Sequence, residues 1–287
     1  MPTHVPALLH RLVDDAAVFP PGNAPLPEAL RCHREHRDAW YAPLVGPLLL
    51  PASELAAATP LLAGSGSVTI GVVGDTGLAG LPGAVEAVPA TGARLAQLEV
   101  AVAKRGEDPL PGLRRLIELA TELAGEEIDL YAEVPLTWGL HNALDTLAQA
   151  RGQGVRVAAK FRTGGLAAEL FPTPVELAAV ICACRDRALP FKLTAGLHHA
   201  IRHNDPETGF THHGFLNVLV AALAADDGAE VADVAERLAG TDPVALIEEV
   251  RPHRESARPL WLGFGSCSVP EPLADLHQLR LLSSEEA

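Results

Sequence analysis

Short apolar runs alternate with longer alanine- and leucine-rich segments along most of this 287-residue chain. The runs are rich in aliphatic residues, as buried parallel strands are, and the segments between them have helical character. The predicted strands are Leu12–Phe19, Val45–Leu50, Val68–Val73, Leu95–Val102, Ile128–Val134, Val155–Phe161, Pro190–Thr194 and Leu260–Phe264. Eight such strands joined by helices, without a low-complexity linker, favour an α/β fold in which residues 1–287 form one (β/α)8 TIM barrel.

The segments between the strands support this architecture. The predicted helices are Leu26–Arg37, Ala52–Leu62, Leu81–Val88, Leu110–Ala124, Leu140–Gln153, Pro174–Arg187, Leu216–Ala225, Val231–Leu238 and Val244–Val250. Thr173 is predicted to cap the helix that begins at Pro174, since proline favours the first helical position. An open doubly wound sheet is the alternative fold. No GxGxxG turn follows the first strand, which disfavours a dinucleotide-binding form of that alternative.

One connection is much longer than the others. It joins the seventh and eighth predicted strands through roughly 65 residues, whereas βα loops typically have about 2–6. Residues 197–258 are therefore predicted to form a helical insertion. Because the insertion follows the carboxyl end of a strand, it is expected to form a lid or wall over the face where barrel enzymes carry their active sites.

The composition limits the partners of this chain. A formal net charge of −14 argues against nucleic-acid binding, which needs a basic face. No apolar run reaches the roughly 20 residues that span a bilayer, so no membrane partner is predicted. The four cysteines have no disulfide-framework spacing, and no signal peptide is visible, which predicts reduced thiols in the cytoplasm. A small-molecule substrate is the expected partner, and the sequence leaves a homo-oligomer open.

Lysine is rare in this chain, with three lysines against nineteen arginines. Two of them, Lys160 and Lys192, occupy matching places in consecutive predicted strands. Arginine can replace lysine wherever only a positive charge is needed, but it cannot form an imine with a carbonyl compound. The two lysines therefore indicate carbonyl chemistry, and their mutual repulsion would lower the pKa of at least one of them. The alternative is that each is a solvated or anion-binding lysine at a strand end.

The segments around these lysines resemble a known family. The motifs are Lys160-Phe161-Arg162-Thr163-Gly164-Gly165, the helix start Thr173-Pro174, Pro190-Phe191-Lys192 and Ala195-Gly196. Together they are similar to the last part of class I aldolases of the deoxyribose-phosphate aldolase type. The resemblance implies that Lys160 forms the imine and that Lys192 lowers its pKa, with no cofactor. Arg162 and Thr163 are then candidate substrate-binding residues, and Arg162 suits a carboxylate.

The resemblance extends to three other strands. Gly263-Phe264-Gly265-Ser266-Cys267-Ser268 is similar to the end of the family's eighth strand, which implies that the amides of Gly265 and Ser266 hold phosphate. Glu99 lies near the place of an aspartate in the family's fourth strand, which implies a proton-shuttling role. Asp14 lies in a segment that resembles the Asp-bearing first strand. It contributes a carboxylate to the site, or it only marks the strand.

Histidines form the second candidate constellation, since five of twelve fall within sixteen residues. They are His198, His199, His203, His212 and His213. On a helix His199 and His203 would share one face, and the loop after them would bring His212 or His213 alongside, as in a Zn²⁺ or Fe²⁺ site with Asp205 or Glu207 as a further ligand. Alternatively, His198 and His199 act as general acid and base, or the histidines are incidental.

Two lesser candidates accompany the histidines. Asn217 binds substrate or caps the helix that follows. Cys267 is a nucleophile or a small buried apolar residue.

The sequence therefore predicts a class I, imine-forming lyase that acts on a small carbonyl compound, which is anionic or phosphorylated. Two alternatives stay open. The first is a metal-dependent lyase or hydrolase on the same barrel, with His199, His203, His212 and His213 as ligands. The second is a barrel without catalysis that acts as a binding protein.

Overall fold

The computed structural model describes residues 4–63, 68–123 and 127–282. Eight strands form a closed parallel barrel. They are β1 (Val13–Asp15), β2 (Val45–Pro51), β3 (Thr69–Val73), β4 (Arg94–Ala101), β5 (Asp129–Glu133), β6 (Val157–Arg162), β7 (Phe191–Thr194) and β10 (Trp261–Ser266). Their order around the barrel is β1-β10-β7-β6-β5-β4-β3-β2. The predicted (β/α)8 fold is confirmed, and each barrel strand lies in a predicted strand segment or within two residues of it.

Helices lie between the strands, as the alternating pattern predicts. The α-helices are α1 (Leu26–Asp38), α2 (Leu55–Leu62), α3 (Leu81–Thr91), α4 (Leu110–Glu122), α5 (Leu140–Gly152), α6 (Pro174–Arg185), α7 (Phe215–Asp226), α8 (Val231–Ala239), α9 (Pro243–Val250) and α10 (Pro270–Gln278). Thr173 caps α6 as predicted, in a capping box with Glu176. The predicted end of the fourth helix at Ala124 lies outside the described residues. Helix α10 has no counterpart in the sequence prediction.

The long connection between β7 and β10 contains a feature that periodicity did not reveal. A two-stranded antiparallel hairpin, β8 (His203–Asn204) and β9 (Thr211–His212), precedes α7, α8 and α9. The three predicted helices of the connection are confirmed. Its action as a lid or wall stays a prediction. No helix in the described parts of the chain is both long and apolar enough to cross a bilayer.

Two compact units can be distinguished along the chain. The first combines the chain up to Asp15, the segment Glu35–Gly46 and the chain from Arg162 onward. The second combines Ala16–Arg34 and Pro47–Phe161. The two lysines that the sequence analysis singles out are divided between them, because Lys192 belongs to the first unit and Lys160 to the second.

Arg258 ties the amino-terminal segment of the first unit to its last strand. Its guanidinium donates hydrogen bonds of 2.6–3.4 Å to the backbone carbonyls of Leu8, His10, Arg11, Trp261 and Leu262. The first strand has only three residues, so its ladder alone offers few hydrogen bonds to hold the start of the chain. A charged donor that satisfies several carbonyls at once compensates for this short strand.

We expect Arg258→Ala to lower the free energy of unfolding by about 3 kcal/mol, since hydrogen bonds from a charged group are lost and their carbonyl partners lose a donor. Urea denaturation followed by circular dichroism measures the change. Arg251→Ala is the matched control, because Arg251 is exposed and pairs with Glu248 only three residues away. The control should change stability by less than about 0.5 kcal/mol. Equal losses in both variants would contradict the role assigned to Arg258.

Candidate active site

Lys160 is a buried lysine held by two carboxylates in the second unit. Only 3 % of the surface of Lys160 is exposed to solvent. The Nζ atom lies 2.7 Å from Oε2 of Glu99 and 2.9 Å from Oε2 of Glu133. A charge buried to this degree requires such partners, because desolvation otherwise costs several kcal/mol per ion. The predicted site residues Lys160 and Glu99 are thus in direct contact, and Glu133 joins them.

Strand register explains this meeting. Glu133 pairs with Lys160 across β5 and β6, and the same Glu133 pairs with Ala101 across β4 and β5. Side chains alternate between the faces of a strand, so Glu99, two residues before Ala101, shares the face of Glu133 and Lys160. Three neighbouring strands therefore place one cationic and two anionic side chains on one face of the sheet.

The electrostatic environment of Lys160 differs from the sequence-based expectation. Burial by itself would lower the pKa of Lys160, but the charges of Glu99 and Glu133 outweigh it and hold the pKa above the ordinary value of 10.5. The predicted lowering of the Lys160 pKa is therefore wrong for this protein in its resting state. The expectation considered the second lysine and omitted Glu133, whose carboxylate lies in the same register row.

Gln97 fixes the orientation of Glu99. It lies two residues earlier on β4, on the same face, and its Nε2 donates a 2.8 Å hydrogen bond to Oε1 of Glu99. Oε1 of the Glu99 carboxylate thus accepts from Gln97, and Oε2 accepts from Lys160. Gly71 on β3 makes room for this arrangement, because a Cβ at that position would lie 2.6 Å from Cγ of Gln97.

Lys192 has a carboxylate partner of its own in the first unit. Its Nζ donates to Oδ2 of Asp14, and both residues are buried. Gly46 at the start of β2 leaves the space that the aspartate fills, since a Cβ there would lie 1.8 Å from Oδ1 of Asp14. Asp14 is therefore part of a buried ion pair and does more than mark the first strand.

Three of the predicted substrate-binding residues have structural contacts. The hydroxyl of Thr163 donates to the carbonyl oxygen of Ala195 at 2.7 Å, which joins the ends of β6 and β7. The hydroxyl of Ser266 donates to the carbonyl of Ser268 at 2.9 Å. Asn217 donates through Nδ2 to the carbonyls of Arg237 and Gly240, each at 2.8 Å, and accepts from the amide of Arg202.

These contacts bear on both alternatives for Asn217. Its amide hydrogens bind carbonyls at the end of α8, and the residue is fully buried in α7. Asn217 does not cap the helix that follows, because it lies inside α7, whose N-cap is Gly214. Substrate binding by Asn217 stays a prediction, and its side chain already holds backbone groups together. Arg162 and Gly265 occupy strand ends, as the sequence predicted. Arg162 is the exposed last residue of β6, and Gly265 pairs with Thr194 and Asp14 in the ladders of β10.

The histidines after β7 do not form the predicted helical pair. His203 lies in the hairpin and pairs with His212, and the two rings stack with centroids 5.4 Å apart. The loop does bring His212 alongside, as predicted. The ring of His199 contacts the ring of His203 edge-on. Nδ1 of His199 lies 3.3 Å from Oδ2 of Asp275, and Nδ1 of His198 lies 3.0 Å from Oε2 of Glu271. Both carboxylates belong to α10.

The hairpin geometry does not produce the alternative metal site. His213 is buried, donates through Nε2 to the carbonyl of Pro172, and faces Arg202 with its other ring nitrogen. Burial lowers the pKa of His213 to about 4 despite that hydrogen bond. Across residues 4–63, 68–123 and 127–282, no group of three or more His, Cys, Asp or Glu side chains has an arrangement that could hold a metal ion.

In comparisons with known proteins, no family model matches this chain and no curated protein matches it significantly.

We expect Lys160→Met to lower the free energy of unfolding at neutral pH by about 3–5 kcal/mol, because the buried Glu99 and the partly buried Glu133 lose their cation. The raised pKa of Lys160 means that its stabilisation is fully present below the ordinary value of 10.5 and is lost only as the pH rises through the higher folded-state value. Neutral pH therefore reports the full effect, measured by urea denaturation.

Two further variants test whether the unpaired carboxylates cause this loss of stability. Adding Glu99→Gln to Lys160→Met should recover part of the loss, since one uncompensated charge is removed. Lys104→Met is the control, because Lys104 is exposed and should contribute less than about 0.5 kcal/mol. A double variant that is as unstable as the sum of its single variants would argue against coupling between Lys160 and Glu99.

Proposed function

We propose that this protein is a class I, imine-forming lyase that makes or breaks a carbon–carbon bond in a small carbonyl compound. The observation that carries the proposal is the buried Lys160 ammonium, with Glu99 and Glu133 at 2.7 and 2.9 Å from its Nζ atom. An imine-forming lysine needs a nearby base that can take its proton and an acid that can return one. The resemblance to aldolases of the deoxyribose-phosphate type points to the same lysine.

Proton transfer comes first in this mechanism. Lys160 is protonated at rest, so one ammonium proton passes to a contacting carboxylate and leaves a neutral amine. The amine nitrogen attacks the carbonyl carbon of the substrate, and the carbonyl oxygen takes a proton from the carboxylic acid. The carboxylate then takes a second proton from the nitrogen and gives it to the hydroxyl oxygen, which leaves as water. The product is the protonated imine, which accepts the electron pair of the breaking carbon–carbon bond.

The two carboxylates are suited to different tasks. Glu99 is buried and receives hydrogen bonds on both oxygens, from Gln97 and Lys160. The side chain of Glu133 is 17 % exposed, so it has access to water that Glu99 does not have. We assign Glu133 to proton exchange with substrate and water, and Glu99 to stabilising the positive charge on the Lys160 nitrogen.

The proposed class of substrate is inferred from a charged residue at the end of a strand. Arg162 presents a guanidinium at the exposed end of β6, two residues after Lys160, and a guanidinium binds carboxylate or phosphate groups through paired hydrogen bonds. We therefore propose an anionic or phosphorylated carbonyl substrate. The four cysteines are free thiols, which favours a cytoplasmic enzyme.

Reductive trapping tests this function. We expect borohydride, added with a panel of small aldehydes and ketones, to leave a stable adduct on Lys160 that peptide mass spectrometry locates. Lys160→Arg should lose the adduct, because a guanidinium forms no imine under these conditions.

The chain supplies a matched control. Lys104→Arg changes the exposed lysine and should retain the Lys160 adduct, and Lys192→Arg shows whether the buried partner of Asp14 is also needed. An adduct only on Lys104, or none with any carbonyl compound, would contradict the proposal and favour a barrel that binds without catalysis.

Gln97→Met tests the assignment of Glu99. Methionine has a similar volume but donates no hydrogen bond, so the Glu99 carboxylate loses its second anchor. We expect trapping at Lys160 to slow by about tenfold at saturating carbonyl compound, corresponding to roughly 1.4 kcal/mol. Gln97→Glu adds a third carboxylate beside the lysine and should slow trapping at neutral pH and recover as the pH falls. An unchanged rate in both variants would exclude a role for Gln97 in positioning Glu99.

A further inference from the structure

Cys267 lies in a cluster of ionisable side chains within the first unit. It directly follows β10, and its Sγ atom is 3.9 Å from Nδ1 of His198. The same Nδ1 lies 3.0 Å from Oε2 of Glu271, the second residue of α10. Cys267 is half-buried, and the His198 side chain is 21 % exposed. The cluster is therefore in contact with solvent.

The contacts define the hydrogen-bond roles in this cluster. A carboxylate only accepts hydrogen bonds, so the contact with Glu271 requires a proton on Nδ1 of His198. The same Nδ1 lies 3.9 Å from Sγ of Cys267, which makes sulfur the acceptor of the second contact. An N–H donor beside the sulfur and an α-helix that begins three residues later at Pro270 both favour negative charge on the sulfur.

The other two cysteines of this unit lie in surroundings that disfavour the thiolate. Cys182 and Cys184 are buried in α6. Burial raises the pKa of the Cys184 thiol to about 12, and it also raises that of Cys182. Both thiols are therefore protonated and shielded. They are poorly placed to attack a disulfide formed at Cys267, so a product with a small thiol is expected to persist.

We propose that Cys267, His198 and Glu271 form a reactive thiolate site that exchanges with small disulfides. The Cys267 thiolate attacks one sulfur of the disulfide, and the sulfur–sulfur bond of the reagent breaks. One half of the reagent stays attached as a mixed disulfide, and the other half leaves as a thiolate that takes a proton from solvent. This chemistry is independent of Lys160 and of the imine-forming reaction.

The test uses the full chain with Cys32→Ser as the parent, which removes the other cysteine that is not fully buried. The parent is incubated with glutathione disulfide between pH 5 and 9, and intact mass and peptide mapping give the rate at Cys267. We expect the rate to approach a plateau below the ordinary thiol pKa of about 8.5. His198→Gln should slow modification at pH 6 by about tenfold, and Glu271→Gln should slow it by a smaller factor.

His199→Gln is the matched control. His199 is the next residue along the chain and also contacts a carboxylate of α10, but its partner is Asp275. This control should keep the parent rate. The proposal is overturned if Cys267 in the parent reacts only as the pH approaches 8.5, or if His198→Gln and His199→Gln react alike. The pH dependence of the parent decides the question even if the His198 variant does not fold.

Discussion

The ion cluster of Lys160, Glu99 and Glu133 is the interaction on which the candidate active site depends. A buried ammonium is tolerated only with anionic partners, and two of them are in contact here at 2.7 and 2.9 Å. The cluster also constrains the sheet, because β4, β5 and β6 must keep the register that aligns Ala101, Glu133 and Lys160. A one-residue slip of any of these strands would turn its charged side chain to the opposite face.

The fold could be predicted because its signal is local and repeated. Each barrel strand is a short apolar segment next to an alanine- or leucine-rich helix, and this alternation extends along most of the chain. The short elements are harder to predict from the sequence. The hairpin strands β8 and β9 have two residues each, so no periodicity develops, and a four-residue spacing between His199 and His203 was interpreted as helical. The strong turn formers between Asn204 and Gly209 in fact support a hairpin loop.

The candidate site was predicted in part. Lys160, Glu99, Lys192 and Asp14 were identified from their residue types and their places at strand ends. Their partnerships depend on register between strands that are distant in sequence, which composition and parity alone do not determine. Glu133 is the clearest example. Its place at the end of a strand next to that of Lys160 was visible in the sequence, but only the pairing of β5 with β6 puts its carboxylate beside the ammonium and raises the lysine pKa.

A raised pKa is compatible with imine chemistry when the whole reaction is considered. The free amine is disfavoured at rest, but the protonated imine carries its positive charge on the same nitrogen, so the carboxylates that stabilise the ammonium also stabilise this intermediate without rearrangement. The ammonium has three N–H donors, whereas a protonated imine has one. Only one carboxylate could then remain hydrogen-bonded to the nitrogen. In the proposed mechanism Glu99, which Gln97 also holds, is suited to stay, and Glu133 would be released as a base for the substrate carbon.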